Sequence, residues 1–374
     1  MPFSSEGVQP GLAIALSGGG FRAALFHLGS LWRLNEFGML PQLDRISSIS
    51  GGSITAGYLG FRWDDLTFDA AGRAGNFEAL VVDAIRDFCS REIDVVAIGT
   101  GVLLPGVSPA DLVEQAYRHH LFGNATLASL PDPGPRFVIG ATNFGTGDSF
   151  RFSRPYMGDY RLGLIPDPDF PLARAVAASS AFPPVLSPVI VETDPAKWQR
   201  VDGADLYDRE DLRRKAVLTD GGVYDNLGLE TVWNRYETIL VSDAGAPFSY
   251  EAEVDTSWAK QAMRVMDLTT NQCRALRKRA LIADFTAKAR KGAYWGIMTD
   301  ILRYEAPDKL AATPARAQAL AAMRTRLNTF TEQEQCELIN WGYALADAAL
   351  RTHAGAPFEP PPAWPYPRFA LDRP

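Results

Sequence analysis

The 374-residue chain has few cysteines, and their arrangement argues against a disulfide-stabilised class of protein. Cys89, Cys273 and Cys336 are odd in number, widely separated and form no Cys-x-x-Cys pair. A disulfide framework uses an even set of cysteines at short spacings, so we expect none here. This usage fits a reduced compartment, and we therefore expect a cytoplasmic protein.

The chain also lacks long apolar runs and a positive net charge. Its longest notable apolar run, residues 95–105, is shorter than the roughly 18 residues that a bilayer-spanning helix needs. Residues 1–6 contain neither a basic nor an apolar region, so no signal peptide is expected. A net charge of −7 gives no basic footprint for nucleic acid, and no nucleic-acid partner is predicted. Peripheral contact with a membrane stays open.

Residues 95–107 are interrupted by glycines and a proline. They could form a lid or a loop that touches a membrane. We favour the simpler interpretation, in which a buried helix end is followed by a turn.

Histidine is scarce too, which limits metal sites and histidine-based catalysis. The four histidines are His27, His119, His120 and His353. The adjacent pair at 119 and 120 has no carboxylate at ligand spacing, so no metal site is expected.

Glycine, by contrast, is concentrated where chemistry could occur. An apolar run at 11–16 predicts a buried strand, and residues 23–34 have helical periodicity. Between them lies Ser-Gly-Gly-Gly-Phe-Arg at 17–22, which would present backbone N–H groups at a helix N-terminus. Neither a Gly-Lys-Ser/Thr ending nor a G-x-G-x-x-G pattern is present. The loop could be a phosphate cradle, an oxyanion hole or only a tight turn.

A second glycine-rich corner follows about 30 residues later, the length of a βαβ unit. Residues 43–46 predict a strand and residues 54–59 a helix, with Ser48-Ile49-Ser50-Gly51-Gly52 between them. The pattern resembles the G-x-S-x-G nucleophile elbow, except that Ser48 replaces the first glycine. A helix-capping serine in an ordinary turn is the alternative. A right-handed crossover would bring Ser50 beside the glycine loop.

An acidic residue occupies a similar position further along the chain. Residues 216–219 predict a strand that delivers Asp220-Gly221-Gly222, and the two glycines would leave the carboxylate unobstructed. Asp220 could instead cap a turn. Asp225 or Asn226 is expected to cap a helix over 227–235, and residues 237–243 predict another strand.

Two candidates could activate Ser50. The order Ser50, Asp220, His353 matches that of an α/β-hydrolase triad. His353 lies in no distinct motif, however, and its cationic form would suit a helix C-terminus. Asp220 is the better candidate base, provided that burial and a hydrogen bond to the serine raise its basicity.

The last third of the chain is predicted to be largely helical. Residues 258–290 are rich in arginine and lysine, which favours a solvated helix face, although contact with anionic lipid headgroups is the alternative. Residues 310–350 predict two packed amphipathic helices. The tail at 357–374, rich in proline and aromatic residues, is expected to lie extended on the surface.

Four blocks together resemble the patatin-like phospholipase family. They are 17–23, 48–53, 178–184 and 220–222, in the order that the family has them. The first block also resembles the cytosolic phospholipase A group of the same superfamily. The resemblance covers roughly residues 11–245 and leaves the last hundred or so unexplained.

This resemblance implies an α/β fold of three layers, α/β/α, with a mostly parallel central sheet, here followed by a helical C-terminal extension. It implies a Ser-Asp dyad in which Ser50 forms an acyl-enzyme and Asp220 activates first Ser50 and then water. Arg22 would fix the glycine loop. The oxyanion would be held by backbone N–H groups of Gly18, Gly19 and Gly20, with Gly52, Gly221 and Gly222 in support. Ala23 and Ser48 depart from the usual glycines but are also small.

The function that follows is hydrolysis of acyl esters of phospholipids or related lipids, with no metal or cofactor. We expect a catalytic domain over 1–306 and an extension over 307–374 packed on it. The partner would be membrane lipid at the bilayer surface; no oligomeric state is predicted. The alternative is a non-catalytic or ligand-activated lipid-binding regulator on the same fold.

Overall fold

The structure, a computed structural model, describes residues 7–94 and 108–372. The segment 95–107, for which the sequence allows a lid or a membrane-touching loop, lies outside the described residues. No helix among the described residues combines the length and apolarity needed to cross a membrane.

Strands and helices are interspersed along the chain, and four strands follow one another without an α-helix over 136–166. The strands are β1 Gln9–Leu16, β2 Arg45–Ile49, β3 Arg136–Asn143, β4 Asp148–Phe152, β5 Tyr156–Asp159, β6 Gly163–Pro166, β7 Val189–Glu192, β8 Lys215–Asp220, β9 Tyr236–Asp243 and β10 Lys291–Gly296. The α-helices are α1 Gly20–Glu36, α2 Gly51–Phe61, α3 Asp83–Cys89, α4 Pro109–Tyr117, α5 Leu172–Ser179, α6 Glu210–Arg214, α7 Gly222–Asp225, α8 Trp258–Thr286, α9 Pro314–Ala321 and α10 Glu332–His353.

All of these strands belong to one sheet with a parallel centre. The order is β10-β9-β1-β2-β3-β4-β5-β6, and β8 pairs with both β3 and β7. The pairs from β10 to β3 are parallel, whereas β4 to β8 are added in antiparallel fashion. The predicted α/β class with a mostly parallel centre is confirmed.

Helices cover both faces of the sheet, as the alternation of side chains along β1 requires. Ile14 and Leu16 belong to the large core that includes α1, α2 and α10. Ala13 and Ala15 face a smaller cluster formed by residues 227–236 and Leu281 of α8. The three layers expected from the sequence are therefore present.

The C-terminal helices are joined closely to the first helix. Gly29 of α1 and Gly342 of α10 lack side chains where the two helices meet, and a Cβ at Gly342 would overlap the carbonyl oxygen of Phe26. The prediction of two helices within 310–350 is confirmed as α9 and α10.

Two local predictions are wrong. Residues 227–235 form turns and no helix, and two of their carbonyl groups accept from side chains of β2: the Ser47 hydroxyl donates to Gly228 O and Arg45 to Thr231 O. Residues 291–296, assigned to a helical region, form β10, which extends the parallel sheet beyond β9.

Candidate active site

Ser50 occupies a strained corner between β2 and α2. Its backbone angles are φ 52° and ψ −121°, a region that residues with a side chain rarely adopt. The glycines after it allow close approach, since a Cβ at Gly51 would overlap Gly20 O and one at Gly52 would lie 2.7 Å from Leu16 O. The corner has the backbone geometry of a nucleophile elbow despite the serine at position 48.

Strand β3 brings Asp220 to this corner. β2 runs parallel to β3 and places Ile49 opposite Gly140, whereas β8 runs antiparallel and places Asp220 opposite Ala141. β2 and β8 therefore lie along the same edge of β3, and their C-terminal ends meet there. The sequence predicts the strand end but not its direction, which is opposite to that of β2.

The Asp220 carboxyl is buried and hydrogen-bonded. Its exposed fraction is 4%, the Gly222 N–H donates to Oδ1 at 2.7 Å, and the Ser50 side chain lies next to it in the same cavity. Burial raises the pKa of Asp220 to about 6, although the Gly222 N–H and the neighbouring Ser50 hydroxyl oppose the shift. Such a carboxylate is a much stronger base than one in water and is still mostly ionised at neutral pH.

Ser179, at the end of α5, holds the corner together. Its hydroxyl accepts a hydrogen bond from the Ser50 N–H at 2.9 Å and donates to Gly140 O at 2.6 Å. Its carbonyl accepts from the Gly221 N–H at 3.1 Å. Sequence reasoning identified the block at 178–184 but gave this residue no role.

The glycine loop lies directly beside Ser50. A Cβ at Gly18 would be 3.1 Å from the Ser50 Cβ, and Gly19 and Gly20 have positive φ angles of 146° and 58°. Gly20 is the first residue of α1, where N–H groups have no partner within the helix. The Gly18 N–H donates to the carbonyl of Asn226 at 3.0 Å, so of the three predicted donors this one is already engaged.

Arg22 is buried behind the loop. Its guanidinium donates to Ala244 O at 2.9 Å and to Met323 O at 2.6 Å, and so joins the end of β9 to the segment after α9. Burial and then the charge of Arg274 lower the pKa of Arg22 to about 10, against the opposing effect of Asp243. The side chain lies where it can hold the loop in position.

The histidine of the alternative triad is elsewhere. The His353 ring packs 5.9 Å from the ring of Tyr304 and lines a separate groove beside β10. The alternative triad Ser50–Asp220–His353 is therefore not assembled. His27 is buried under the glycine loop, 2.9 Å from Ser17 O and 2.8 Å from the Ser242 hydroxyl, and burial lowers its pKa to about 4.

A cavity of about 290 Å³ lies over Ser50 and Asp220. Its roof is formed by residues 245–249 and by α8, which sequence reasoning did not connect with the site. Arg264 donates to Ser249 O at 2.7 Å, and Arg274 donates to Ala246 O at 2.9 Å. Polar contacts, and few apolar ones, thus hold the roof.

A metal centre has no obvious ligands in the part of the chain that the structure describes. No three histidine, cysteine, aspartate or glutamate side chains are grouped there as a set of ligands.

Comparison with known proteins finds one matching family model and solved structures with a similar fold. The family model described as patatin-like phospholipase matches residues 14–233. A search of curated proteins found no significant match. The structure of human GIVD cytosolic phospholipase A2 is similar over 93% of this chain and 59% of that chain, with a TM-score of 0.53 and 14% identity. Its complex with methyl gamma-linolenyl fluorophosphonate and terbium chloride matches over 90% of this chain and 57% of that one, with a TM-score of 0.51 and 15% identity. At such identities the likeness shows the fold alone, and this chain spans less than two thirds of the solved chains.

Proposed function

The chain belongs to the patatin-like phospholipase family, and on that premise we propose that it is a serine hydrolase that cleaves acyl esters of phospholipids or related lipids. The observation that carries the proposal is the contact between two residues. Ser50, strained at the end of β2, lies beside Asp220, a buried carboxylate at the end of β8, in the lining of one cavity. No other nucleophile–base pair is needed for the chemistry.

In the proposed first half-reaction, Ser50 attacks the acyl carbonyl while Asp220 accepts the hydroxyl proton. A base with a pKa of about 6 is suited to this, because it is largely ionised at neutral pH and yet accepts a proton readily. The strained backbone holds the serine oxygen towards the cavity at no further entropic cost during the reaction.

The negative oxygen of the tetrahedral intermediate would be stabilised by the glycine loop. Gly19 and Gly20 supply N–H groups at the N-terminus of α1, where the helix dipole also favours negative charge. The Gly18 N–H would join them only after releasing Asn226 O. Arg22 keeps the loop in place through the Ala244 carbonyl.

Asp220 then gives its proton to the departing alcohol, which leaves the acyl group on Ser50. In the second half-reaction the same carboxylate accepts a proton from water as the water attacks the acyl-enzyme. The proton finally returns to Ser50, and the free acid leaves. Every proton transfer uses Asp220, so this residue is the one base of the proposed cycle.

We further propose that α8 faces the lipid surface. Its outer side, away from the cavity, carries exposed apolar residues, among them Trp258 (84% exposed), Val265 and Leu276. Lys260 and Arg279 lie on the same helix, and basic residues among apolar ones suit the headgroup region of an anionic bilayer. The division into a catalytic region over 1–306 and an extension over 307–374 is part of the same proposal.

Hydrolysis of vesicle lipids tests this function. Wild type, Ser50→Ala and Asp220→Asn are incubated with mixed phospholipid vesicles, and released fatty acid and lysolipid are measured by mass spectrometry. We expect each substitution to lower turnover by about 10³-fold or more, with an unchanged circular dichroism spectrum. The matched control is His353→Ala, which should keep wild-type turnover. Full turnover by Ser50→Ala would contradict the proposal.

A further inference from the structure

A group of arginines lies on one face of the sheet, beneath the segment 228–231. Arg45 of β2 pairs with Arg136 of β3, and Gly140 of β3 pairs with Arg151 of β4. Paired residues share a face, and so do residues two or four apart on one strand. All three arginines therefore point to the same side, which is the side covered by residues 228–231.

Two of these arginines are buried without enough partners. Arg45 is 1% exposed and Arg151 is 6% exposed. Arg45 donates from Nη1 to Thr231 O at 3.0 Å, but within the described residues its Nε has no hydrogen-bond partner, and neither do Nε and Nη2 of Arg151. The nearby Glu230 carboxylate is 4.0 Å from Arg151 and is already bonded to Arg277 at 3.1 Å.

An unpaired buried donor is costly, and a charged one more so. The Thr231 hydroxyl, 7% exposed, is a third buried group that has no partner among the described residues. Three neighbouring groups that can each donate a hydrogen bond, two of them cationic, form a set that one anion could satisfy together.

The surroundings of this cluster are electropositive, and the pKa of Tyr156 of β5 shows the effect of the positive charges. Burial acts to raise the pKa of this phenol, yet the charges of the arginines around it bring the pKa below its ordinary value. The four arginines concerned are Arg45, Arg151, Arg136 and Arg235. Arg136 is exposed and Arg235 half-buried, so they form the entrance to the cluster.

We propose that Arg45, Arg151 and Thr231 form a binding site for a phosphate group, separate from the Ser50 site. Guanidinium groups match phosphate oxygens in pairs, and a hydroxyl can donate to a third oxygen. The phosphate could belong to a lipid headgroup or be free in solution. Within the site, Arg45 lies about 16 Å from Ser50 along β2, at about 3.3 Å per residue.

One chain segment connects this site with the catalytic corner. The Gly222 N–H holds Asp220, and Asn226 O accepts from the glycine loop. Further along, the Asp225 carboxylate accepts from the Glu230 N–H at 2.8 Å, next to Thr231. An anion bound to Arg45 and Thr231 would order this segment and stabilise the folded chain.

Thermal unfolding in sodium phosphate, compared with sodium chloride of equal ionic strength, tests the site. Phosphate should raise the Tm of wild type by binding the folded state. Arg151→Met should weaken phosphate binding by about tenfold or more, as expected for loss of charged hydrogen bonds. Arg73→Met, at an exposed arginine far from the cluster, is the matched control and should respond like wild type.

Arg136→Met provides a second variant at an exposed position, so folding is not at risk, and it should show a reduced response. Vesicles of phosphatidylcholine with and without phosphatidate, sedimented with Ser50→Ala protein to prevent hydrolysis, distinguish the lipid source. Binding that needs phosphatidate and is lost with the additional change Arg151→Met would assign a headgroup. The same phosphate response in Arg151→Met and wild type, or no response to either source, would overturn the proposal. Neither result depends on the activity of Ser50.

Discussion

The two longest helices differ in burial. α10 lies behind the floor of the catalytic cavity, and α8 forms part of its roof. α10 is buried from Gln335 to Leu350, whereas Leu281 is the one fully buried residue of the 29 in α8. α10 supports the floor, because it packs along α1, whose N-terminus is the glycine loop. α8 covers the same cavity from outside. The floor is therefore fixed by packing in the core, whereas moving the roof should require little free energy.

The floor depends on close contacts between α1 and α10, which leave little room for larger side chains or for unpaired charges. Gly29 and Gly342 bring the backbones of α1 and α10 into contact. Arg33 of α1 is fully buried and pairs with the equally buried Asp347 of α10 at 2.8 Å. Breaking such a pair would leave an unpaired charge in the core, so the pair holds the two helices in one register.

Gly342→Ala should have the largest effect on stability. The added methyl group overlaps Phe26 O, which is backbone and cannot rotate away, so we expect a loss of about 3 kcal/mol or more in the free energy of unfolding. Urea denaturation measures it. The control is Gly75→Ala, where nothing lies within 4 Å of the new Cβ. Equal stability of the two variants would show that the helices can separate.

Asp220→Asn should act in the opposite direction and depend on pH. The folded-state pKa of about 6 lies above the ordinary 3.8, so the protonated carboxyl stabilises the fold below about pH 3.8 and this contribution is lost as the pH rises through 6. Asparagine resembles the protonated form. The variant should therefore gain up to about 3 kcal/mol over wild type at pH 8 and almost nothing at pH 4. A difference that does not change with pH would refute the burial argument.

The sequence predicts most of the floor, because strands and glycine corners are local features. The strands at 11–16, 43–46 and 216–219 and the corners at 17–22 and 47–53 need only short-range patterns. The meeting of Ser50 with Asp220 depends on β3 pairing with both β2 and β8. The sequence pattern gives neither that pairing nor the direction of β8.

The roof is less predictable, because its contacts are polar and join distant parts of the chain. The basic residues of 258–290 indicate a solvated helix, which α8 largely is, but nothing local shows that Arg264 and Arg274 reach the loop at 245–249. Residues 227–235 have a helical pattern, but the segment forms turns in which Gly228 and Thr231 accept hydrogen bonds from side chains of β2. β10 is short and follows a long helix, so the sequence pattern predicts helix there and not a strand.

Arg274→Met should separate the roof from the floor functionally. The change removes the hydrogen bond from α8 to Ala246 O and the ion pair with Asp243 at 3.9 Å. We expect about 1 kcal/mol of lost stability, because a typical hydrogen bond contributes about that much and the core is untouched. Turnover on vesicles should rise as the roof loosens. Arg73→Met, at an exposed arginine outside this helix, is the control. A loss of stability as large as that of Gly342→Ala would mean that the roof is part of the core.

Leu276→Ala should have the smallest effect on stability. The side chain is 57% exposed, so the free energy of unfolding should change by no more than about 0.5 kcal/mol. Its sedimentation with anionic vesicles should nonetheless fall, since apolar area would be lost from the lipid-facing side. Val8→Ala, at the opposite end of β1 from the glycine loop, should bind vesicles like wild type. Equal binding by both variants would place the membrane contact elsewhere.

The central claim is that Ser50 is a nucleophile activated by Asp220, and covalent labelling with a fluorophosphonate probe tests it most directly. Tryptic mass spectrometry identifies the labelled residue in wild type, Ser50→Ala, Asp220→Asn and His353→Ala. We predict a label on Ser50 in wild type and in His353→Ala, none in Ser50→Ala, and greatly slowed labelling in Asp220→Asn. Folded wild-type protein that leaves Ser50 unlabelled, or labelling that is lost with His353, would contradict the account.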